Sequence, residues 1–228
     1  MQWNIQLLVF DIAGTTIKDH GEVADAFQSA MDDYGYSIPR EKIYPLMGYR
    51  KTDAIAQLLR EFESDEQKIT IEYIQGIHSR FVKTMVQYYH YTDKLEPQEH
   101  AEEIFAFYRK RDVKIGLNTG FPSEITEAIM DNLGWLKDGK IDFVVSSDEV
   151  PEGRPHPYMI HRMMELAGIH NPDHVVKIGD TSVDIEEGKN AGCLYSIAVT
   201  TGAFTHDQLK PFNPDYIIDD LKELYEIL

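Results

Sequence analysis

Short apolar runs recur along the chain: IQLLVF at 5–10, VKIGL at 113–117, DFVVS at 142–146, VVKIG at 175–179, YSIAV at 195–199 and DYII at 215–218. Their near-continuous apolarity predicts strands buried on both faces, as in a parallel sheet. From residue 113 onward helical patterns alternate with them. PSEITEAIMDNLG has Ser123 as the expected N-cap and Gly134 as the stop. HPYMIHRMMELAG closes on Gly168, and SVDIEEGKNAG on Gly192. Strand and helix in alternation predict an α/β fold with a doubly wound parallel sheet.

Residues 17–90 break this rhythm. Val23, Phe27, Ala30, Met31 and Tyr34 share one helical face, and Ile55, Leu58, Leu59 and Phe62 share another. TIEYIQGIHSRFVKTMVQYY continues in helix, with Gly76 as a weak point. The expected organisation is a core domain made of residues 1–16 and 91–228, with an inserted α-helical cap domain over 17–90. The polar stretches at 17–20 and 90–100 read as linkers on which the cap opens and closes.

Composition narrows the partners. With 228 residues, 43% of them hydrophobic, the chain can bury a substantial core. A formal charge of -17 argues against nucleic acid or an anionic membrane as partner, yet leaves room for a local basic pocket holding a small anion. Cys193 is the single cysteine, which rules out an intrachain disulfide and fits a reducing compartment. No run approaches a membrane span and the N-terminus has no basic start, so a cytoplasmic location is expected.

Ligands of such sheets bind beyond the carboxyl ends of the strands. Asp11 ends the first predicted strand, Thr119 and Gly120 end the second, Arg154 follows the third, and Asp180 and Asp184 follow the fourth. Each has an ordinary explanation alone: a turn aspartate, a common Thr-Gly turn, a surface arginine, a helix cap. Together they supply a nucleophile, a hydroxyl, a cation and two acids at successive strand ends.

The stretches DIAGTT, NTG, GRP and GDTSVD resemble, in order, the four motifs of the haloacid dehalogenase (HAD) superfamily of phosphoryl-transfer enzymes. The resemblance covers essentially the whole chain and implies a HAD-like Rossmannoid core with a helical cap. By it, Asp11 forms an aspartyl-phosphate, and Thr119 and Arg154 hold the phosphoryl oxygens. It also implies Mg²⁺ held by Asp11, the Ala13 carbonyl and Asp180, with Asp184 nearby as a ligand or supporting acid. Ala13, Gly14, Thr15, Gly120 and Phe121, with Met47, Gly48 and Arg50 from the cap, are the expected substrate-binding residues.

Ala13 is the informative departure. Most phosphatases of the superfamily carry Asp there, to protonate the departing alkoxide, a task worth ~10²–10⁴-fold. DIAGTT is most similar to the phosphonatase branch, which also has Ala and cleaves a carbon–phosphorus bond. In that branch a cap lysine condenses with an aldehyde and the carbon leaves as an enamine, so no oxygen is protonated. Lys51, after Met47-Gly48 in PLMGYRKTDAI, stands at the offset of that lysine. Burial, or the neighbouring Arg50, would favour loss of its proton.

The chain departs from the branch at Ala54 in place of His, at Phe121 in place of Tyr, and in a first linker without Cys, where His20 or Glu22 could face the site. Two other readings stand beside this one. In the first, Lys51 grips the distal anion of a phosphoglycolate or sugar-phosphate ester in a phosphomonoesterase. In the second, the protein binds a phosphometabolite without catalysis, against which a carboxylate aimed at phosphate argues. A small phosphonate or phosphate-ester substrate is expected. Its identity and the oligomeric state stay open, a homodimer included.

Overall fold

Six short apolar segments form one parallel sheet in the computed structural model, which describes residues 4–93 and 95–228. The strands are β1 (Leu7–Asp11), β2 (Lys114–Thr119), β3 (Phe143–Ser146), β4 (Val175–Gly179), β5 (Tyr195–Val199) and β6 (Tyr216–Ile218). Their order across the sheet is β3-β2-β1-β4-β5-β6. The winding therefore reverses beside β1, with β2 on one flank and β4 on the other. That crevice is where ligands of open α/β sheets bind.

Alternate residues of β1 serve opposite faces. Leu7 and Val9 pack into a cluster with Met159, Ile160 and Met163, while Leu8 and Phe10 join a larger one with Phe105 and Ile129. The helices responsible are α5 (Ala101–Arg109) and α6 (Ser123–Leu133) on the second face and α7 (Tyr158–Ala167) on the first. Further on lie α8 (Ser182–Ala191) and the short α9 (His206–Leu209) and α10 (Leu224–Ile227). Helix α5 is additional to the helices expected from periodicity, and its Phe105 meets Phe10 edge-on at 5.4 Å.

Between β1 and β2 the chain forms α1 (Glu22–Asp32), α2 (Arg40–Ile43), α3 (Lys51–Phe62) and α4 (Ile71–Tyr91). The expected apolar faces are buried, except for half-buried Tyr34 and for Phe62, which ends α3 at 37% exposure. Gly76 is no weak point: a Cβ there would lie 2.6 Å from the Tyr34 hydroxyl, so the missing side chain makes room for Tyr34. The two passages between this insertion and the sheet run side by side. Lys18 N donates to Glu96 O at 3.0 Å and Gln98 N to Thr16 O at 2.8 Å.

Helix ends follow the sequence in most places. Gly134, Gly168 and Gly192 all take left-handed conformations after their helices, where a side chain would be strained. Ser123 does not cap α6. It is the first helical residue, and its N–H and hydroxyl both donate to Asp148 Oδ1, at 2.9 and 2.8 Å. The cap comes from a loop 25 residues downstream, which local pattern cannot reveal.

Candidate active site

Asp11 leaves the sheet at the carboxyl end of β1, paired in register with Asn118 of β2. The turn after it is closed by Gly14 N donating to Ile17 O at 2.8 Å and by the Thr16 hydroxyl donating to Asp11 O at 3.0 Å. Gly14 has φ +89, and a Cβ there would meet both Asp180 and Gly202. This close approach brings the first and fourth strand ends together.

A cavity of ≈ 30 Å³, room for about two waters, lies above them. From the sheet it is lined by Asp11, Ala13, Thr119, Gly120, Phe121, Asp180, Thr181 and Ala203. Asp19, Val23, Met47, Gly48 and Lys51 close it from the linker and the inserted helices. The Thr119 hydroxyl oxygen accepts Phe121 N–H at 3.1 Å, which fixes the turn after β2. Met47 and Gly48 reach the sheet because Gly48 and Gly120 have no side chains. A Cβ on Gly120 would lie 2.3 Å from Tyr49 O, and one on Gly48 2.4 Å from Thr181 Oγ1.

Lys51 is 3% exposed. Its Nζ lies 5.5 Å from the Phe121 ring centroid and 3.5 Å from Tyr49 O. Burial pushes the ammonium down to about 8, with Arg154 adding to the effect and Asp11 opposing it. Its place as the first residue of α3 works in the same direction, since a helix N-terminus disfavours positive charge.

Beneath the cavity a buried network holds Asp11. Arg154 Nη1 lies 2.6 Å from Asp11 Oδ1 and 3.0 Å from Asp184 Oδ1. Its Nε reaches Glu187 at 3.0 Å, and its Nη2 donates to Asn118 O at 2.8 Å. Arg154 therefore stands behind Asp11, every nitrogen engaged, and does not line the cavity. In place of the expected contact with phosphoryl oxygens, Arg154 fixes the orientation of the Asp11 carboxylate. Burial pushes the Asp11 carboxyl up, and Arg154 draws it back.

Asp184 is likewise turned away from the cavity. One oxygen faces Lys177 at 2.9 Å and Arg154, while the other accepts the Thr181 N–H at 3.2 Å and hydroxyl at 2.5 Å. Burial opposes its charge, but Arg154 and Lys177 outweigh that and hold it below the usual carboxylate range. Of the two roles expected for it, ligand or supporting acid, its position suits the second, as a network anchor and N3 partner of a capping box. Arg50, expected at the substrate, donates instead to backbone carbonyls of the loop after β3. In the first linker it is Asp19, not His20 or Glu22, that reaches the cavity. Burial raises the Asp19 carboxyl, while the Gly21 N–H donated to Oδ1 at 3.0 Å lowers it.

Asp180 sits at the other wall. Thr15 Oγ1 donates to its Oδ1 at 3.0 Å and Ala203 N to its Oδ2 at 2.7 Å. Burial, with Asp11 and Asp184 adding to it, drives its carboxyl well above the ordinary range. Gly14 and Thr15 thus brace Asp180. Across the network the carboxylates of Asp11, Asp180, Asp184 and Glu187 are set against the cations of Arg154 and Lys177. With all four ionised the surplus of negative charge suits a divalent cation. Among the described residues no three His, Cys, Asp or Glu side chains form a metal cluster. Mg²⁺ requires none, because it takes one or two carboxylates and completes its shell with water and substrate oxygens. Asp11 and Asp180, in a cavity that Ala13 also lines, make a donor set of that kind.

Sequence reasoning missed Asn118, Lys177, Glu187, Asp19 and Ala203. Lys177 was detectable in principle, as a lysine inside the apolar run VVKIG, where a buried charge requires partners. The others carry no local signal.

The haloacid dehalogenase-like hydrolase family model matches residues 5–192. The chain belongs to that family and is a hydrolase. It is 31% identical over 208 residues to a phosphonoacetaldehyde hydrolase of Bacillus cereus, covering 87% of this chain and 77% of that one. Among solved structures it resembles a phosphonoacetaldehyde hydrolase like protein from Oleispira antarctica, with TM-score 0.81, 19% identity, and coverage of 98% of this chain and 91% of that one. It also resembles a predicted phosphoglycolate phosphatase from Haemophilus somnus, with TM-score 0.78, 19% identity, and coverage of 100% and 99%. At such identities the two structures speak for the fold.

Proposed function

We propose that the protein is a Mg²⁺-dependent phosphonatase-like hydrolase that breaks a carbon–phosphorus bond through Asp11 and Lys51. Lys51 carries this reading. It is buried, bonded to no carboxylate among the described residues, and pushed down to about 8 in the cavity that holds Asp11 and Ala13. A lysine that only grips an anion gains from keeping its proton, whereas a nucleophilic amine must lose it. Similarity to curated phosphonoacetaldehyde hydrolases supports the same reading.

The neutral Nζ adds to the aldehyde carbon of a substrate such as phosphonoacetaldehyde, loss of water leaves an imine, and uptake of a proton makes it an iminium ion. An Asp11 oxygen attacks phosphorus. The carbon–phosphorus bond breaks, and its electron pair moves into the iminium to give an enamine. No alkoxide departs, so Ala13 suffices where other phosphatases carry an acid. Water then cleaves the aspartyl-phosphate to return Asp11 and phosphate. Protonation and hydrolysis of the enamine free Lys51 and the aldehyde product. Thr119 is the hydroxyl available to the phosphoryl oxygens, and Arg154 keeps Asp11 ionised and oriented. Mg²⁺, when bound by Asp11, Asp180 and the Ala13 carbonyl, offsets the phosphoryl charge.

Residues 17–90 act in this reading as a cap. At ≈ 30 Å³ the cavity is too small to hold substrate unless the cap moves away. Among the described residues no helix is long and apolar enough to cross a membrane, and a reducing cytoplasm is the setting we propose.

Asp19 favours a second reading. Its carboxyl, raised by burial, lies in the cavity and is an acid able to protonate an ester oxygen in place of the one absent at Ala13. The protein would then be a phosphomonoesterase of the phosphoglycolate or sugar-phosphate type, with Lys51 gripping the substrate. Phosphate release in Mg²⁺ from phosphonoacetaldehyde, 2-phosphoglycolate and hexose phosphates separates the two. Release from the phosphonate alone is expected, and release confined to the esters establishes the second reading.

A further inference from the structure

Arg50 immediately precedes Lys51, and its guanidinium is spent on backbone carbonyls of the sheet domain. Nη1 donates to Pro151 O at 3.0 Å, and Nη2 to Val150 O at 2.6 Å and to Ser147 O. All three carbonyls belong to the loop that joins β3 to α7, more than ninety residues away in the chain. The approach is close. A Cβ on Gly153 would lie 2.7 Å from the Arg50 Cβ, so the loop admits the arginine stem only because residue 153 has no side chain.

The same loop is tied to both partners of the chemistry. Ser147 Oγ donates to Gly120 O at 3.1 Å and Phe121 O at 3.0 Å, and Phe121 is the ring beneath Lys51. Arg154, which holds Asp11, lies within this loop. A planar guanidinium suits several acceptors converging from one side, and an ammonium would reach fewer of them. Three loop carbonyls also lose a charged donor if Arg50 withdraws.

We propose that Arg50 is a positioning residue: it latches the helical insertion onto the β3–α7 loop and so holds Lys51 dry against Phe121, above Asp11. The inference rests on the reading of residues 17–90 as a cap that opens, and it does not depend on the substrate. It gives Arg50 a role at the closing interface, apart from any contact with substrate. Lys51 is faced by Asp11, Asp180, Asp19 and Arg154 and, from α4, by His78.

Reductive methylation with formaldehyde and borohydride, read peptide by peptide by mass spectrometry, tests the latch without substrate. Lys51 and the core residue Lys177 both start protected, at 3% and 1% exposure. Compared above pH 10.5, where the amine is mostly neutral whether dry or wet, labelling of Lys51 in Arg50→Gln should rise by about tenfold, the scale of losing charged hydrogen bonds, while Lys177 stays protected. The pH midpoint for Lys51 labelling should move up from about 8 toward the ordinary 10.5 as water reaches it. Arg50→Lys should recover part of the protection. Gly153→Val attacks the latch from the loop side, leaves Arg50 in place, and should expose Lys51 in the same sense. Lys51 labelling within twofold of wild type in both Arg50→Gln and Gly153→Val overturns the proposal, as does labelling of Lys51 and Lys177 that rises in step in both. A protein that releases no phosphate from any probe still gives a readable labelling result, so failure of the latch and failure of the proposed activity stay distinct.

Discussion

Lys51 Nζ lies 5.5 Å from the Phe121 ring centroid, held by a face of π-electrons and a backbone carbonyl where a carboxylate would fix its charge. An ammonium over an aromatic face gains a modest attraction, and here burial outweighs it. The pair defines a dry amine at the mouth of a site whose floor is a carboxylate.

This relationship has a signed consequence for pH. Folding lowers the Lys51 pKa, so the amine is neutral above about 8 and charged below it. If it forms an iminium, kcat/KM should climb as pH rises to about 8 and level off above it. If it grips an anion, the same profile should fall above that point. A pH–rate series on the best substrate decides the sign.

Lys51→Arg should abolish turnover, because a guanidinium retains the charge and cannot form an iminium. Borohydride added with an aldehyde phosphonate should inactivate the wild type and mark Lys51 with a reduced adduct. Tolerance of the substitution and absence of an adduct would together end the carbon–phosphorus mechanism.

Asp11→Asn should reduce turnover below about 1% of wild type while the thermal unfolding midpoint stays close, since it removes the covalent route. Substantial residual activity would show that Asp11 is a bystander.

Asp180 and Asp184 should separate by phenotype. Asp180→Asn should raise the Mg²⁺ concentration needed for half-maximal activity. Gly202→Ala should do likewise, because its Cβ would fall 2.0 Å from Asp180 Oδ2. Asp184→Ala should instead lower stability by about 3 kcal/mol, the cost of leaving buried partners unpaired. Metal titrations beside denaturant unfolding distinguish these outcomes, and equal effects on Mg²⁺ requirement would refute the division of roles.

Ala13→Asp offers the converse test. A carboxyl there supplies the acid an ester leaving group requires, so phosphomonoesterase activity should rise while aldehyde-phosphonate turnover gains nothing. Parallel assays on 2-phosphoglycolate and phosphonoacetaldehyde measure the divergence.

The sheet and its active edge were legible in the chain because strand burial and strand-end chemistry are local properties. Apolar runs such as LLVF and VVKIG stop where polar residues begin, and in a parallel sheet those stops share one edge. Asp11, Thr119 and Asp180 could therefore be picked out by position alone, and glycine stops such as Gly134 by backbone sterics. Lys51 could be nominated, but its chemistry could not, since a lysine's charge depends on the water that folding removes. The tertiary structure decided what each charged group faces. Arg154 turned inward to Asp11 and Glu187, Arg50 outward to a distant loop, Asp184 into a capping box, and Asp19 replaced His20 and Glu22 at the cavity. Such pairings join residues up to 143 positions apart. They are set by which strands become neighbours, and periodicity along the chain carries no record of that.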